Sequence, residues 1–122
     1  MATFSKVLLS GSTQGKAIKV AATTSGSAGT TIHATGTSAT IIDEVWLYAY
    51  NSSASAVVLT VQWGGVTAVD NEIKLSIPAT SGLTLVVPGL TLTGTGSAAN
   101  TIAAYAATTN LITISGYVNR IA

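Results

Sequence analysis

Ile42-Asp-Glu-Val-Trp-Leu-Tyr-Ala-Tyr50 alternates without a break: Trp46, Tyr48 and Tyr50 fall on one side of an extended chain, and Val45, Leu47 and Ala49 on the other. Period-two alternation rich in aromatic and β-branched residues marks a strand. Because both sides carry bulky or apolar groups, the segment is expected to run centrally, between two layers. After a turn at Asn51-Ser-Ser-Ala-Ser55 the pattern repeats in Val57-Val-Leu-Thr-Val-Gln-Trp63. Here Val57, Leu59, Val61 and Trp63 face one way, and Val58, Thr60 and Gln62 the other.

Outward from this pair, short β-type runs alternate with Gly, Ser and Thr punctuation. Candidate strand runs lie at 7–9, 16–20, 30–34, 72–77, 83–87, 90–93, 101–107 and 111–118. Gly64-Gly65 ends one run, because glycine tolerates the backbone angles of a tight turn. Pro78 and Pro88 end two more, because proline has no N–H to give a ladder. No long window keeps helical periodicity, so almost no helix is expected. Eight to nine short strands at this spacing predict an all-β chain, a single-domain antiparallel β-sandwich of jelly-roll-like form. Its inward rows would come from the strands of Trp46 and Val57 and from Ile112, Ile114 and Val118.

Charge is scarce. The 122 residues include five Lys and Arg, four Asp and Glu and one His, for a net charge of +1. An ordinary domain of this length carries roughly thirty charged side chains. Charges keep a free monomer soluble and apart from its neighbours, so their omission points to a surface that is covered in use. A net charge of +1 offers no basic stripe for nucleic acid. With no cysteine, disulfides and thiolate metal sites are excluded. No apolar run approaches the eighteen or so residues of a membrane span, and the first ten residues do not read as a signal peptide.

Little chemistry is on offer. Gly11-Ser-Thr-Gln-Gly15-Lys16 is one residue short of a phosphate loop and runs on into a strand, so it reads as a turn. His33 is the only histidine and reads as a strand or loop residue at an interface. Asp43 and Glu44, adjacent on a strand, point to opposite faces and cannot act as a carboxylate pair. Asp70-Asn71-Glu72 could begin a calcium site, but reads as a capped turn. No catalytic, cofactor or metal residues are expected, and an enzymatic role is not. Trp46, Tyr48, Tyr50, Trp63, Tyr117 and Arg120 are the candidates for a subunit or partner interface, Trp and Tyr being well suited to such packing.

Several stretches resemble a family of small virion proteins of tailed bacteriophages. They include Leu9-Ser-Gly-Ser-Thr-Gln-Gly-Lys-Ala-Ile-Lys-Val-Ala-Ala22, Asp43-Glu-Val-Trp-Leu47, Leu59-Thr-Val-Gln-Trp-Gly-Gly65, Ile77-Pro-Ala-Thr-Ser-Gly-Leu83 and Ile114-Ser-Gly-Tyr-Val-Asn-Arg-Ile121. The resemblance implies a capsid decoration, or cement, protein on the virion surface, made in the host bacterial cytoplasm. It also implies the major capsid protein as partner, self-association as a homotrimer, no cofactor, and neither nucleic acid nor membrane as ligand. A tail or neck component, or a receptor- or glycan-binding one, is the alternative. Residues 2–6 and 119–122 are expected as arms reaching a neighbour, since termini order only when something holds them. The few charges, among them Lys16, Lys19, Arg120, Asp43 and Glu44, are expected at contact rims.

Overall fold

The computed structural model describes residues 2–122, leaving Met1 outside the description. Its strands are β1 (Phe4–Leu8), β2 (Ile18–Lys19), β3 (Thr30–Ala34), β4 (Ile42–Asn51), β5 (Val57–Trp63), β6 (Glu72–Ile77), β7 (Thr84–Leu92), β8 (Thr101–Ala106) and β9 (Ile112–Ile121). One antiparallel sheet runs β1-β9-β4-β7, with β2 joining β9 beyond the end of β1; the other runs β3-β8-β5-β6. The two pack face to face as a β-sandwich, and no helix occurs among the described residues. From β2 to β9 every connection except the β5–β6 hairpin crosses from one sheet to the other.

The alternation read from the sequence places the core. Val45, Leu47 and Ala49 of β4 meet Leu59 and Val61 of β5, with Ile102 and Ala104 from β8 and Ile112, Ile114 and Val118 from β9; all are fully buried. Trp63 continues the inward row of β5 and packs against this core at one end of the sandwich.

Three expectations change. β4 is central within its sheet, between β9 and β7, but only one of its faces is covered. Trp46, Tyr48 and Tyr50 stand half-buried on the bare outer side. Secondly, residues 83–87 and 90–93 form one strand, not two. Leu90 pairs with Val45 and Pro88 with Trp46, so Gly89 is the extra residue of a bulge, at φ 79. A second bulge follows between Leu47 and Tyr48. Proline is admissible here because β7 is an edge strand, whose far side needs no ladder.

The third change concerns the termini, expected as arms. Phe4 to Leu8 pair in register with Ile121 to Tyr117, and Thr3 and Ala122 exchange both backbone hydrogen bonds, at 2.7 and 2.9 Å. Each end of the chain is tied down by the other.

The two outer faces differ. On the outer side of the β3-β8-β5-β6 sheet the chain folds its 23–29 loop over one end, around Gln62, while Val58, Lys74 and Ser76 stay exposed. Gln62, 1 % exposed, accepts from the Gly29 N–H at 2.8 Å and donates to the Ser27 carbonyl at 2.8 Å. Removing a buried partner of this kind costs about 1–3 kcal/mol, the desolvation penalty of the groups left unpaired. Gln62→Ala is therefore expected to free the loop: limited proteolysis should cut between residues 23 and 29 in the variant and leave the parent intact.

Candidate functional site: an open aromatic face and a buried charged tie

The outer face of the β1-β9-β4-β7 sheet has no such cover. Five of the chain's seven aromatic residues stand on it: Phe4, Trp46, Tyr48, Tyr50 and Tyr117. Register explains the gathering. Leu8, Tyr117, Trp46 and Pro88 lie opposite one another, so β1, β9, β4 and β7 each contribute to one apolar row, with Tyr48 opposite Leu85 in the row beside it. The rings of Trp46 and Tyr117 stack, with centroids 6.3 Å apart and planes 14° from parallel. Lys6 caps the stack, its Nζ 4.6 Å from the centre of the Tyr117 ring.

Polar groups fix the rings. The Trp46 indole N–H donates to Glu44 Oε1 at 2.8 Å, and the Asn119 amide donates to the same oxygen at 3.0 Å. These two donors hold the Glu44 carboxyl below the usual carboxylate range. Glu44, Asn119 and Lys6 then line an open cleft of about 240 Å³ together with Phe4, Ser5 and Ile121. Phe4 is 72 % exposed, and Leu8 and Leu85 are also exposed. A face with this much uncovered apolar surface, rimmed by polar groups, has the composition of a contact site.

The few charges do something else as well. Asp43, expected at a contact rim, is 1 % exposed at one end of the sandwich. Arg120, opposite it on β9, donates from Nε to Oδ1 at 2.7 Å and from Nη2 to Oδ2 at 2.9 Å. His33 reaches Asp43 Oδ2 with Nε2 at 2.8 Å, and its Nδ1 accepts the Ser10 backbone N–H at 3.0 Å. The second contact fixes the tautomer: Nδ1 is an acceptor, so Nε2 carries the proton and donates it to the carboxylate. Burial alone would push the Asp43 carboxyl up. The hydrogen bonds from Arg120 and His33 and their charge outweigh burial and hold it below the usual range.

A histidine–aspartate pair invites comparison with acid–base catalysis. A catalytic imidazole held by a carboxylate keeps its other nitrogen for a nucleophile or substrate. Here that nitrogen is occupied by a backbone N–H, and the ring is wholly buried. The arrangement ties four pieces of chain: the Ser10 turn, β3, β4 and β9. Among the described residues no buried side-chain polar atom lacks a partner.

The remaining candidates separate. Trp63 lies in the opposite layer from Trp46 and forms no platform with it. Arg120 spends its guanidinium on Asp43, while Trp46, Tyr48, Tyr50 and Tyr117 share the open face. The loop over 11–16 is a turn, closed by the Lys16 N–H on the Thr13 carbonyl at 3.0 Å, with no helix to cradle a phosphate. Asn71 braces the β5–β6 hairpin, and Glu72 accepts from the Tyr105 hydroxyl at 2.7 Å. Among the described residues no three acidic, His or Cys side chains are grouped to hold a metal.

Fold and face together define a low-charge β-sandwich with an open aromatic face. No protein-family model, no curated protein and no solved structure matches the chain.

Proposed function

We propose that the protein is a structural component of a tailed-bacteriophage virion, a decoration protein that binds the outer capsid lattice and strengthens the head. One observation carries this reading: the outer face of the β1-β9-β4-β7 sheet gathers five aromatic side chains with exposed Phe4, Leu8 and Leu85. The strand order supports it. We read the two sheets, β1-β9-β4-β7 and β3-β8-β5-β6 with sheet-crossing connections, as a jelly roll, an architecture used by viral capsid domains and by lectins. The sequence resemblance points the same way. Function is then mechanical: each copy bridges neighbouring capsid subunits, and many copies add interfaces that internal pressure must break.

Protein docking is favoured over sugar binding because the two tryptophans lie in different layers and the open face includes aliphatic Leu8 and Leu85. Purified protein added to undecorated shells should bind saturably and raise their disruption temperature. Tyr48→Lys, on the outer side of the sheet, should weaken shell binding about tenfold or more by burying a charge in the contact. Its melting temperature should stay within a few degrees of the parent's, as for most surface changes. Absence of binding to shells, or a bound glycan whose loss tracks Tyr48, overturns the docking reading.

A further inference from the structure

We propose that the free edge of β1 is a strand-addition site, where an extended segment of a partner protein joins the sheet as a further antiparallel strand. The inference deepens the docking reading, on which it rests for the partner, by naming the backbone groups that the partner takes.

Thr3 and Ala122 exchange both backbone hydrogen bonds, at 2.7 and 2.9 Å, and so form a bonded pair of the β1–β9 ladder. In an antiparallel ladder such pairs alternate with pairs that exchange no bond. By the register, Ser5 with Arg120 and Val7 with Val118 are bonded pairs, whereas Phe4, Lys6 and Leu8 turn their N–H and C=O groups away from β9. No strand lies on that side: β1 ends the order β1-β9-β4-β7, and β2 joins β9 beyond Leu8. Among the described residues no turn bonds the backbone of these three either.

The other three sheet edges are closed. β7 has Pro88 and its bulges. β3 is met by the turn that follows β1: the Gly11 N–H donates to the Ile32 carbonyl at 2.9 Å, and the Ala34 N–H to the Ser10 hydroxyl at 2.7 Å. β6 sets the charged Glu72 and Lys74 along its length. Prolines, bulges, covering loops and charges are the devices by which proteins blunt their edges. On β1 the one such residue is Lys6, and its ammonium is drawn back over the Tyr117 ring of β9, 4.6 Å from the centre and away from the free side. The edge is flanked instead by Phe4 and Leu8, 72 % and 56 % exposed. Open backbone groups between uncovered apolar side chains are what strand addition uses: the main chain gives affinity and alternate side chains give specificity.

The register also specifies the occupant. On an incoming antiparallel strand one residue stands opposite Lys6, and the residues two before and two after it stand opposite Leu8 and Phe4. An acidic residue with an apolar one two places to either side matches this row; a basic residue at the centre would set like charges directly opposite. Seated there, the segment widens the open aromatic face by one strand.

The test has two arms. In the first, the capped peptide Thr-Val-Thr-Glu-Thr-Val-Thr is added to the purified full chain, and amide hydrogen exchange is followed by NMR. At saturation, exchange at Phe4, Lys6 and Leu8 should slow about tenfold or more as their N–H groups are paired, while Ser5 and Val7, already bonded to β9, change little. The same peptide with Lys in place of Glu should bind more weakly. In the second arm, Lys6→Pro and Lys6→Ala are compared on undecorated shells. Proline is admissible where the N–H faces away from the neighbouring strand, so the two variants should melt within a few degrees of each other. Lys6→Pro should bind shells about tenfold or more weakly than Lys6→Ala, a difference that their shared loss of charge does not produce. Unprotected Phe4, Lys6 and Leu8 amides up to about millimolar peptide, or equal shell binding by the two variants, overturns strand addition. If Lys6→Pro loses its cooperative melt, the peptide arm, which needs no variant, decides. If the parent itself binds no shells, the docking reading falls, and the edge stands or falls by the peptide alone.

Discussion

Asp43→Ala is expected to destabilise the protein by about 3–5 kcal/mol, the range for breaking a buried charged pair from one side. In melting temperature this is roughly 10–20 °C for a domain of this size. The substitution removes the acceptor of three hydrogen bonds, two from Arg120 and one from His33. Arg120, about one-third exposed, can turn to water; His33 cannot, and is left with a buried N–H unpaired. Asp43→Asn keeps one acceptor oxygen and should fall between variant and parent. The same carboxyl gives a pH signature. Its value in the fold lies below the ordinary 3.8. Its stabilisation is therefore complete above that ordinary value and is lost as pH falls through the lower, folded one, because the unfolded chain binds the proton first. Thermal melts from about pH 5 to about pH 2 should show a steeper acid loss in the parent than in Asp43→Asn. Equal slopes would show that the tie contributes nothing through its charge.

Gly116→Val is expected to be comparably severe, for a different reason. Gly116 sits in the middle of β9, opposite Leu47, between the outward Tyr117 and the inward Ile114. A Cβ built on it would run into the Trp46 carbonyl oxygen and lie 3.2 Å from the Leu47 Cα. Both are backbone atoms of the central strand β4, which is held by β7 on its far side and cannot retreat. Overpacking against flexible side chains costs about 1–3 kcal/mol, and against fixed backbone the loss should exceed that range. The expected result is a chain that loses its cooperative melt or accumulates insoluble. A variant that melts within a few degrees of the parent would mean that β4 and β9 can separate locally at no cost.

Local pattern and long-range geometry divided what could be read in advance. The bounds of β3, β5 and β6 follow from alternation and punctuation alone, because those strands are bracketed by Gly, Pro and Ser. The misread at β7 came from treating Pro88-Gly89 as an end. On an edge strand the same dipeptide makes a bulge, and edge position is a property of the whole sheet that neighbouring residues do not encode. The terminal pairing was missed likewise, because Thr3 and Ala122 lie near opposite ends of the sequence.

At the candidate site, Trp46, Tyr48, Tyr50 and Tyr117 were identifiable by residue type, but their sharing one bare face depended on the register of β4 with β9. The tie of His33, Asp43 and Arg120 had no local sign. Its members lie 10 and 77 residues apart, and a lone histidine on a strand looks the same with or without a carboxylate across the core. A faint clue existed in Asp43 itself. It falls in step with Val45, Leu47 and Ala49, and an acid on an apolar row needs a partner.

The bulged edge has a consequence for how the free sheet is protected. Sheet edges invite stacking of one molecule on the next, and most proteins fend this off with lysines placed along them. β7 carries no charged residue; it is closed by Pro88 and by two bulges that bend it away from a straight template. Protection by shape is not screened by ions, as protection by charge is. The bulges should therefore keep β7 from pairing with a second molecule at high salt as well as at low.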